Sequence, residues 1–73
     1  MDKTTLDILQ IIYHETANKS AITMTTLEVE TGLSGYILRN HLEDLKQKGF
    51  VVEHKEGFFI TETGISFGST RWI

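Results

Sequence analysis

The sequence predicts an α+β domain that is mainly helical, with three helices followed by an antiparallel hairpin of two or three strands. Two patterns predict this class. Apolar residues recur at helical spacing through the first two thirds of the chain, and two β-rich runs separated by Glu56-Gly57 follow them. The chain has 73 residues, of which 40% are hydrophobic, so we expect residues 1–73 to form one domain with a small core.

The first helix is predicted from Thr4 to Thr16, because closely spaced apolar side chains give that segment a broad face for burial. These side chains are Leu6, Ile8, Leu9, Ile11, Ile12 and Tyr13. We expect this helix to supply much of the core.

The next segment contains a candidate strand and a second helix. Ala21-Ile22-Thr23 is a candidate for a brief third strand that pairs with the hairpin. The second helix is expected to carry Leu27 inward, with either Thr23 or Thr25 as its N-cap, because a threonine side chain can accept a hydrogen bond from the first turn. Gly32 is predicted to end it.

The third helix carries the clearest periodicity. Leu38, Leu42 and Leu45 recur at i, i+4 and i+7 and therefore share one face, while polar residues occupy the others. Ser34 is placed to cap the N-terminus, and Gly49 to supply the left-handed residue after the C-terminus. Both ends of the helix are thus set by the local sequence.

A hairpin is predicted from the runs 50–55 and 58–61, with Gly57 in the turn and Gly64 closing it. Its second run should contribute Ile60 to the core. The complete predicted core is Leu9, Ile12, Leu27, Leu33, Leu38, Leu42, Leu45 and Ile60.

This order of elements resembles the winged helix-turn-helix superfamily, as found in small bacterial and archaeal transcription regulators. The residues that carry the resemblance are Gly32-Leu33-Ser34, Leu38 to Leu42, Leu45, Lys48-Gly49-Phe50, Ile60-Thr61 and Gly64. The resemblance implies that the third helix and the hairpin, called the wing, contact double-stranded DNA. One departure is Glu28, where many relatives have a small alanine, which implies a shifted helix face or looser packing.

Eight residues are candidate DNA contacts under that resemblance: Thr25, Ser34, Tyr36, Arg39, Asn40, Lys48, His54 and Lys55. Arg39 and Asn40 have planar groups suited to guanine and adenine edges, whereas Lys48 and Lys55 suit phosphates. Each candidate also has a purely structural alternative, such as helix capping for Thr25 or a solvated surface position for Arg39.

The charge balance argues against strong DNA binding. Seven basic and ten acidic residues give the chain a net charge of −3, whereas nucleic-acid-binding domains are usually basic. Only residues 34–55 carry an excess of basic side chains, four against three acidic ones. Any non-specific affinity should therefore be low and sensitive to salt.

The sequence contains no pattern typical of an enzyme. The three histidines lie on different predicted elements, no cysteine is present, and no phosphate-binding glycine loop is visible. We expect no catalytic residue, no metal and no cofactor. No apolar run approaches the length of a membrane span, so we expect a soluble cytoplasmic protein without membrane contact.

The tail, residues 65–73, is more apolar than an idle terminus, because it contains Phe67, Trp72 and Ile73. Relatives of the fold commonly continue into a long helix that builds a dimer, but Gly68, Gly64 just before the tail and the β-branched residues disfavour such a helix here. The sequence leaves open whether these side chains pack on the chain's own helices or on a second subunit. A homodimer is predicted because the domain is small and a single module has a modest footprint on DNA.

Two function classes fit the sequence. The first is a DNA-binding transcriptional regulator that contacts duplex DNA through the third helix and wing. The second is a protein-protein interaction module on the same fold, which uses the acidic second helix or the wing and binds no DNA. Arg39, Asn40 and the basic end of the helix favour the first, and the net acidity favours the second.

Overall fold

The computed structural model describes residues 1–16 and 20–72, which form four helices and one two-stranded antiparallel sheet. The elements in chain order are α1 (Lys3–Glu15), α2 (Met24–Thr31), α3 (Gly35–Gln47), β1 (Val51–His54), β2 (Gly57–Ile60) and α4 (Glu62–Ser69). The mainly helical class and the wing are confirmed. The number of helices is not, because a fourth helix follows the wing.

Each helix begins at a side chain that accepts a hydrogen bond from its first turn. The caps are Asp2 for α1, Thr23 for α2, Ser34 for α3 and Thr61 for α4. Ser34 was predicted, and Thr23 rather than Thr25 is the cap of α2. These oxygens satisfy backbone N–H groups that have no partner within the helix, so the polar residues between apolar runs fix where the helices start.

Two glycines set the turns on either side of α3. Gly32 ends α2 with φ of 73°, and Gly49 follows α3 with φ of 78°, both in the left-handed region that glycine enters without steric penalty. The predicted ends of the second and third helices are confirmed by these conformations.

The wing is an antiparallel hairpin in which Val51 lies opposite Ile60 and Glu53 opposite Phe58. Ile22 exchanges two backbone hydrogen bonds with Phe58, of 2.9 and 2.8 Å. The expected third strand is therefore a single bridge on the outer side of β2. This bridge ties the segment before α2 to the wing.

The core lies where α1, α2, α3 and the inner face of the wing meet. Six of the eight predicted core residues are buried, while Leu33 and Ile60 are only partly buried. Among the described residues, four buried hydrophobic side chains were not in the predicted core: Ile8, Ile22, Val51 and Phe58. The strand residues were missed because inner and outer faces of a four-residue strand differ by one position, which a short apolar run does not reveal.

The sequence did not predict the short helix α4, and the placement of Gly64 at the end of the wing was wrong. Thr61 ends the wing and caps α4, accepting a hydrogen bond from the N–H of Gly64 while its hydroxyl donates to the carbonyl of Gly49. Gly64 and Gly68 are both buried in α4. A Cβ at Gly64 would overlap the carbonyl of Phe50, and one at Gly68 would overlap the Tyr13 ring. The glycines that lower helix propensity are thus required for close packing.

Two apolar side chains of the tail, Phe67 and Trp72, pack on the chain itself, whereas Ile65 is exposed. The ring centroids of Phe67 and Phe50 are 4.8 Å apart, and those of Trp72 and Tyr13 are 5.6 Å apart. Phe67 and Trp72 are both packed against the core. Ile73 lies outside the described residues.

Candidate nucleic-acid interface

The outward side of α3 is opposite the buried stripe of leucines. At 3.6 residues per turn, Tyr36, Asn40, Glu43 and Gln47 follow one another along this side. Tyr36 is 85% exposed, and Asn40 and Gln47 are exposed as well. Three of these four side chains carry no charge. We call Tyr36, Asn40 and Gln47 the outward stripe.

The N-terminus of α3 is fastened to α2 by Glu28. The carboxylate of Glu28 accepts a hydrogen bond of 2.9 Å from the N–H of Gly35, and Ser34 accepts one from the N–H of Ile37. A Cβ at Gly35 would approach the Glu28 carboxylate to 3.0 Å, so a glycine suits this contact. Glu28 therefore joins the two helices of the helix-turn-helix instead of loosening their packing.

Arg39 and Lys46 lie on the side of α3 that faces the wing, and both bind Glu53 of β1. The two terminal nitrogens of Arg39 donate to the two carboxylate oxygens of Glu53 at 2.7 and 3.1 Å. Lys46 donates to the same carboxylate at 3.0 Å. Glu43 accepts from Arg39 at 3.2 Å and from Lys46 at 3.0 Å. We call these four residues the junction cluster; its two cations and two carboxylates cancel in charge.

The junction cluster changes the acidity of its members. The hydrogen bonds from Arg39 and then Lys46 lower the pKa of Glu53 from 4.5 to about 2. The hydrogen bonds from Lys46 and Arg39 also lower the pKa of Glu43. Conversely, the hydrogen bonds to Glu53 and Glu43 raise the pKa values of Arg39 and Lys46. All four groups are therefore ionised near neutral pH.

Arg39 also packs on the wing. Its guanidinium carbon lies 5.6 Å from the centroid of the Phe58 ring, which faces Glu53 across the hairpin. A cation over an aromatic face is weakly attracted to it. The predicted DNA contact Arg39 is thus held by two carboxylates and one ring, and its side chain is 43% exposed.

The other predicted contacts fall into two groups. Lys48 is paired with Asp44 at 2.8 Å, and Ser34 already serves as a cap. Thr25, His54 and Lys55 are exposed, on α2, at the end of β1 and at the wing turn respectively. Within residues 1–16 and 20–72, Lys55 has no ion-pair partner.

Four residues of this surface were not among the predicted contacts: Glu43, Lys46, Gln47 and Glu53. Gln47 was detectable, since it follows Asn40 by seven residues and so repeats on the same helical side. The pairing of Glu53 with Arg39 was not, because it joins residues 14 positions apart on two elements.

A groove of about 300 Å³ lies away from this surface, between α1 and the end of α2. Its lining combines apolar and acidic side chains and consists of Thr4, Asp7, Ile8, Ile11, Glu30, Thr31 and Leu33. Among the described residues, no group of three or more His, Asp or Glu side chains is placed to hold a metal ion. Nor is any helix in that part of the chain long and apolar enough to cross a membrane.

The order of the elements, the capped α3 and the wing that follows it are the parts of a winged helix-turn-helix. A family model with that description, winged helix-turn-helix, matches residues 2–70. The chain belongs to this family, whose domains are typically DNA-binding. Comparison with curated proteins gave no match.

Proposed function

We propose that the protein is a cytoplasmic DNA-binding transcriptional regulator that inserts α3 into the major groove and lays the wing on the adjacent backbone. The observation that carries this proposal is the outward stripe of α3, which is exposed along its length and bears two carboxamides. In helix-turn-helix proteins the second helix of the motif lies in the major groove and presents such side chains to base edges.

The chemistry of the outward stripe favours adenine. A carboxamide offers one acceptor and one donor and forms two parallel hydrogen bonds with the N6 and N7 of adenine. Asn40 and Gln47 lie two turns apart on α3, so they would meet bases a few steps apart along the groove. Tyr36, at the start of the helix, would stack on a base or donate a hydrogen bond from its hydroxyl to a backbone phosphate.

The remaining predicted contacts would hold the backbone. Lys55 at the wing turn supplies a cation that forms no ion pair with another described residue, and Thr25, Ser34 and His54 supply exposed polar groups on α2, before α3 and at the end of β1. Lys48 and Arg39 have carboxylate partners in the free protein, so a phosphate or base would have to replace Asp44 or Glu53. Sequence preference would therefore come mainly from Asn40 and Gln47, and Arg39 would contact DNA only after such an exchange.

A homodimer remains part of the proposal. Two copies would double the contacts of a single small module and impose a two-fold repeat on the binding site. Phe67 and Trp72 give no support to it, because they pack on their own chain. Sedimentation of the protein alone and with a bound duplex measures the number of copies, and one copy in both states would exclude the dimer.

Selection from random duplex DNA at about 50 mM and at about 150 mM salt tests the proposed function, because weak electrostatic attraction is lost first as salt rises. We expect enrichment of a site with adenines at two positions, retained at the higher salt. Failure to enrich any sequence at either salt concentration would reject sequence-specific DNA binding.

The second candidate is a protein-protein interaction module, and one observation favours it. Lys48 and the two cations of the junction cluster are paired, so the basic segment offers little free charge to phosphates. The groove between α1 and α2 has Asp7 and Glu30 beside apolar residues, which suits a partner segment with a cation next to an apolar side chain. Loss of binding to such a partner on Glu30→Lys, with DNA binding absent, would establish this alternative.

A further inference from the structure

The carboxylate of Glu53 has the position and partners of a bound anion. It accepts hydrogen bonds from both terminal nitrogens of Arg39, at 2.7 and 3.1 Å, and from the ammonium of Lys46 at 3.0 Å. A guanidinium holds a phosphate with the same two-pronged geometry, and an ammonium commonly adds a third contact. The two cations come from α3 and the carboxylate from β1, so the group lies at the junction of the two elements proposed to contact DNA.

The cluster is at the surface. The side chains of Arg39, Lys46 and Glu53 are 43%, 31% and 32% exposed, which leaves all three within reach of a ligand. A fully buried group would instead be inaccessible to a phosphate. Because the pairing is exposed, its own contribution to stability is small, and exchange of one anion for another is energetically feasible.

We propose that Glu53 occupies a phosphate-binding site formed by Arg39 and Lys46, and so suppresses binding to nucleic acid of arbitrary sequence. This inference rests on the proposed function for the identity of the ligand, a nucleic-acid backbone phosphate. Sequence-independent affinity comes from cations that replace counterions on the backbone. With Glu53 in place, the junction cluster carries no net charge and contributes little of this attraction, so discrimination is left to the outward stripe.

A bracing role for the same cluster gives the opposite expectation. Salt bridges between α3 and β1 would then fix the angle of the wing, and loss of Glu53 would misplace the wing and weaken DNA binding. The sign of the change in affinity therefore separates an occupied anion site from a brace.

The test compares Glu53→Gln with the parent chain, using a labelled duplex of random sequence between about 50 and about 200 mM salt. The amide keeps the size of the side chain but removes the charge, which changes the junction cluster from neutral to +1. Glu30→Gln is the matched control, because it makes the same change in net charge at an exposed position of α2, away from the cluster. Thermal melts verify that each variant is folded.

We expect Glu53→Gln to bind the random duplex about threefold to tenfold more tightly at about 50 mM salt, because one more backbone contact becomes available. The slope of log affinity against log salt should become steeper by about one unit. In a chain that already carries Arg39→Gln and Lys46→Gln, Glu53→Gln should raise the affinity for the random duplex no more than the Glu30→Gln control does.

Three results would overturn the proposal. Glu53→Gln could bind the random duplex only as tightly as Glu30→Gln, it could bind more weakly, or no variant could bind at all. Failure of the proposed function is a separate result: in the selection from random duplex DNA, the parent chain would then enrich no preferred site. A gain by Glu53→Gln on random duplex in that situation would support the occupied phosphate site and reject the sequence-specific regulator.

Discussion

The two accessible sides of α3 differ in how their polar groups are used. On the outward stripe, the side chains of Asn40 and Gln47 make no hydrogen bond or ion pair with other described residues, whereas on the wing side Arg39 and Lys46 are each bound to two carboxylates. The cationic side chains of α3 are therefore less available to a ligand than the uncharged ones. A count of basic residues along the chain therefore overstates the charge that a ligand would meet.

Both sides depend on the leucine stripe that orients α3, so its truncation has the largest expected effect. Leu45→Ala should lower the free energy of unfolding by about 2–5 kcal/mol, because Leu45 is fully buried and its loss leaves a cavity. Gln47→Ala, two residues along on the outward stripe, should change it by less than about 0.5 kcal/mol. Urea denaturation measures both, and similar losses would show that the faces of α3 are wrongly assigned.

Asn40 tests the outward stripe as a source of sequence preference. Asn40→Ala should lose about 1–3 kcal/mol of binding free energy on the preferred duplex and relax the preference at one base pair, because a bidentate contact supplies both affinity and specificity. Lys55→Ala is the contrasting variant: it should weaken all duplexes alike and flatten the salt slope by about one unit. Titrations with preferred and random duplexes measure both variants. If Asn40→Ala and Lys55→Ala lose affinity for the two duplexes in the same proportion, Asn40 does not supply the sequence preference.

Glu28 tests the link that holds α3 against α2. Glu28→Ala should lower the free energy of unfolding by about 1–2 kcal/mol, because it removes the acceptor for the Gly35 N–H in the first turn of α3. Glu30→Ala, an exposed acidic position on the same helix, is the matched control and should change it much less. If both variants unfold at the same urea concentration, the hydrogen bond between Glu28 and Gly35 does not stabilise the fold.

The smallest expected effect is the pH dependence contributed by the wing side of α3. Because the pKa of Glu53 is lowered from 4.5 to about 2 in the folded chain, its ionised form stabilises the fold. This contribution is complete above about pH 4.5 and is lost as the pH falls toward about 2. Parent and Glu53→Gln should thus differ in Tm near neutral pH and converge in acid. A Tm difference that is constant over this range would argue against the ion pairs.

The sequence predicted most of the fold because its signals are local. The start of α3 is set by the side chain of Ser34, and the ends of α2 and α3 are set by the backbone freedom of Gly32 and Gly49. The spacing of the leucines in α3 predicted which face of this helix is buried. The fourth helix was missed because Gly64 and Gly68 have poor helix propensity, and their value lies in close approach to Phe50 and Tyr13.

The candidate site was less predictable for the same reason. Asn40 was placed correctly on the surface by helical spacing alone. The partners of Arg39 could not be found that way, because Glu53 reaches it only when the wing folds back beside α3. Availability of a charged side chain is thus a tertiary property, whereas exposure of a helix face is a local one.

The most direct test of DNA contact through the outward stripe is an NMR titration of the folded protein with duplex DNA at about 50 mM salt, where electrostatic attraction is only weakly screened. The side-chain amide groups of Asn40 and Gln47 give their own signals and report on this surface separately from the wing. We predict that both signals shift on binding, together with the backbone amides of Tyr36 and Lys55. Shifts confined to α1 and α4, with the two side-chain amide signals unmoved, would show that the outward stripe does not contact DNA.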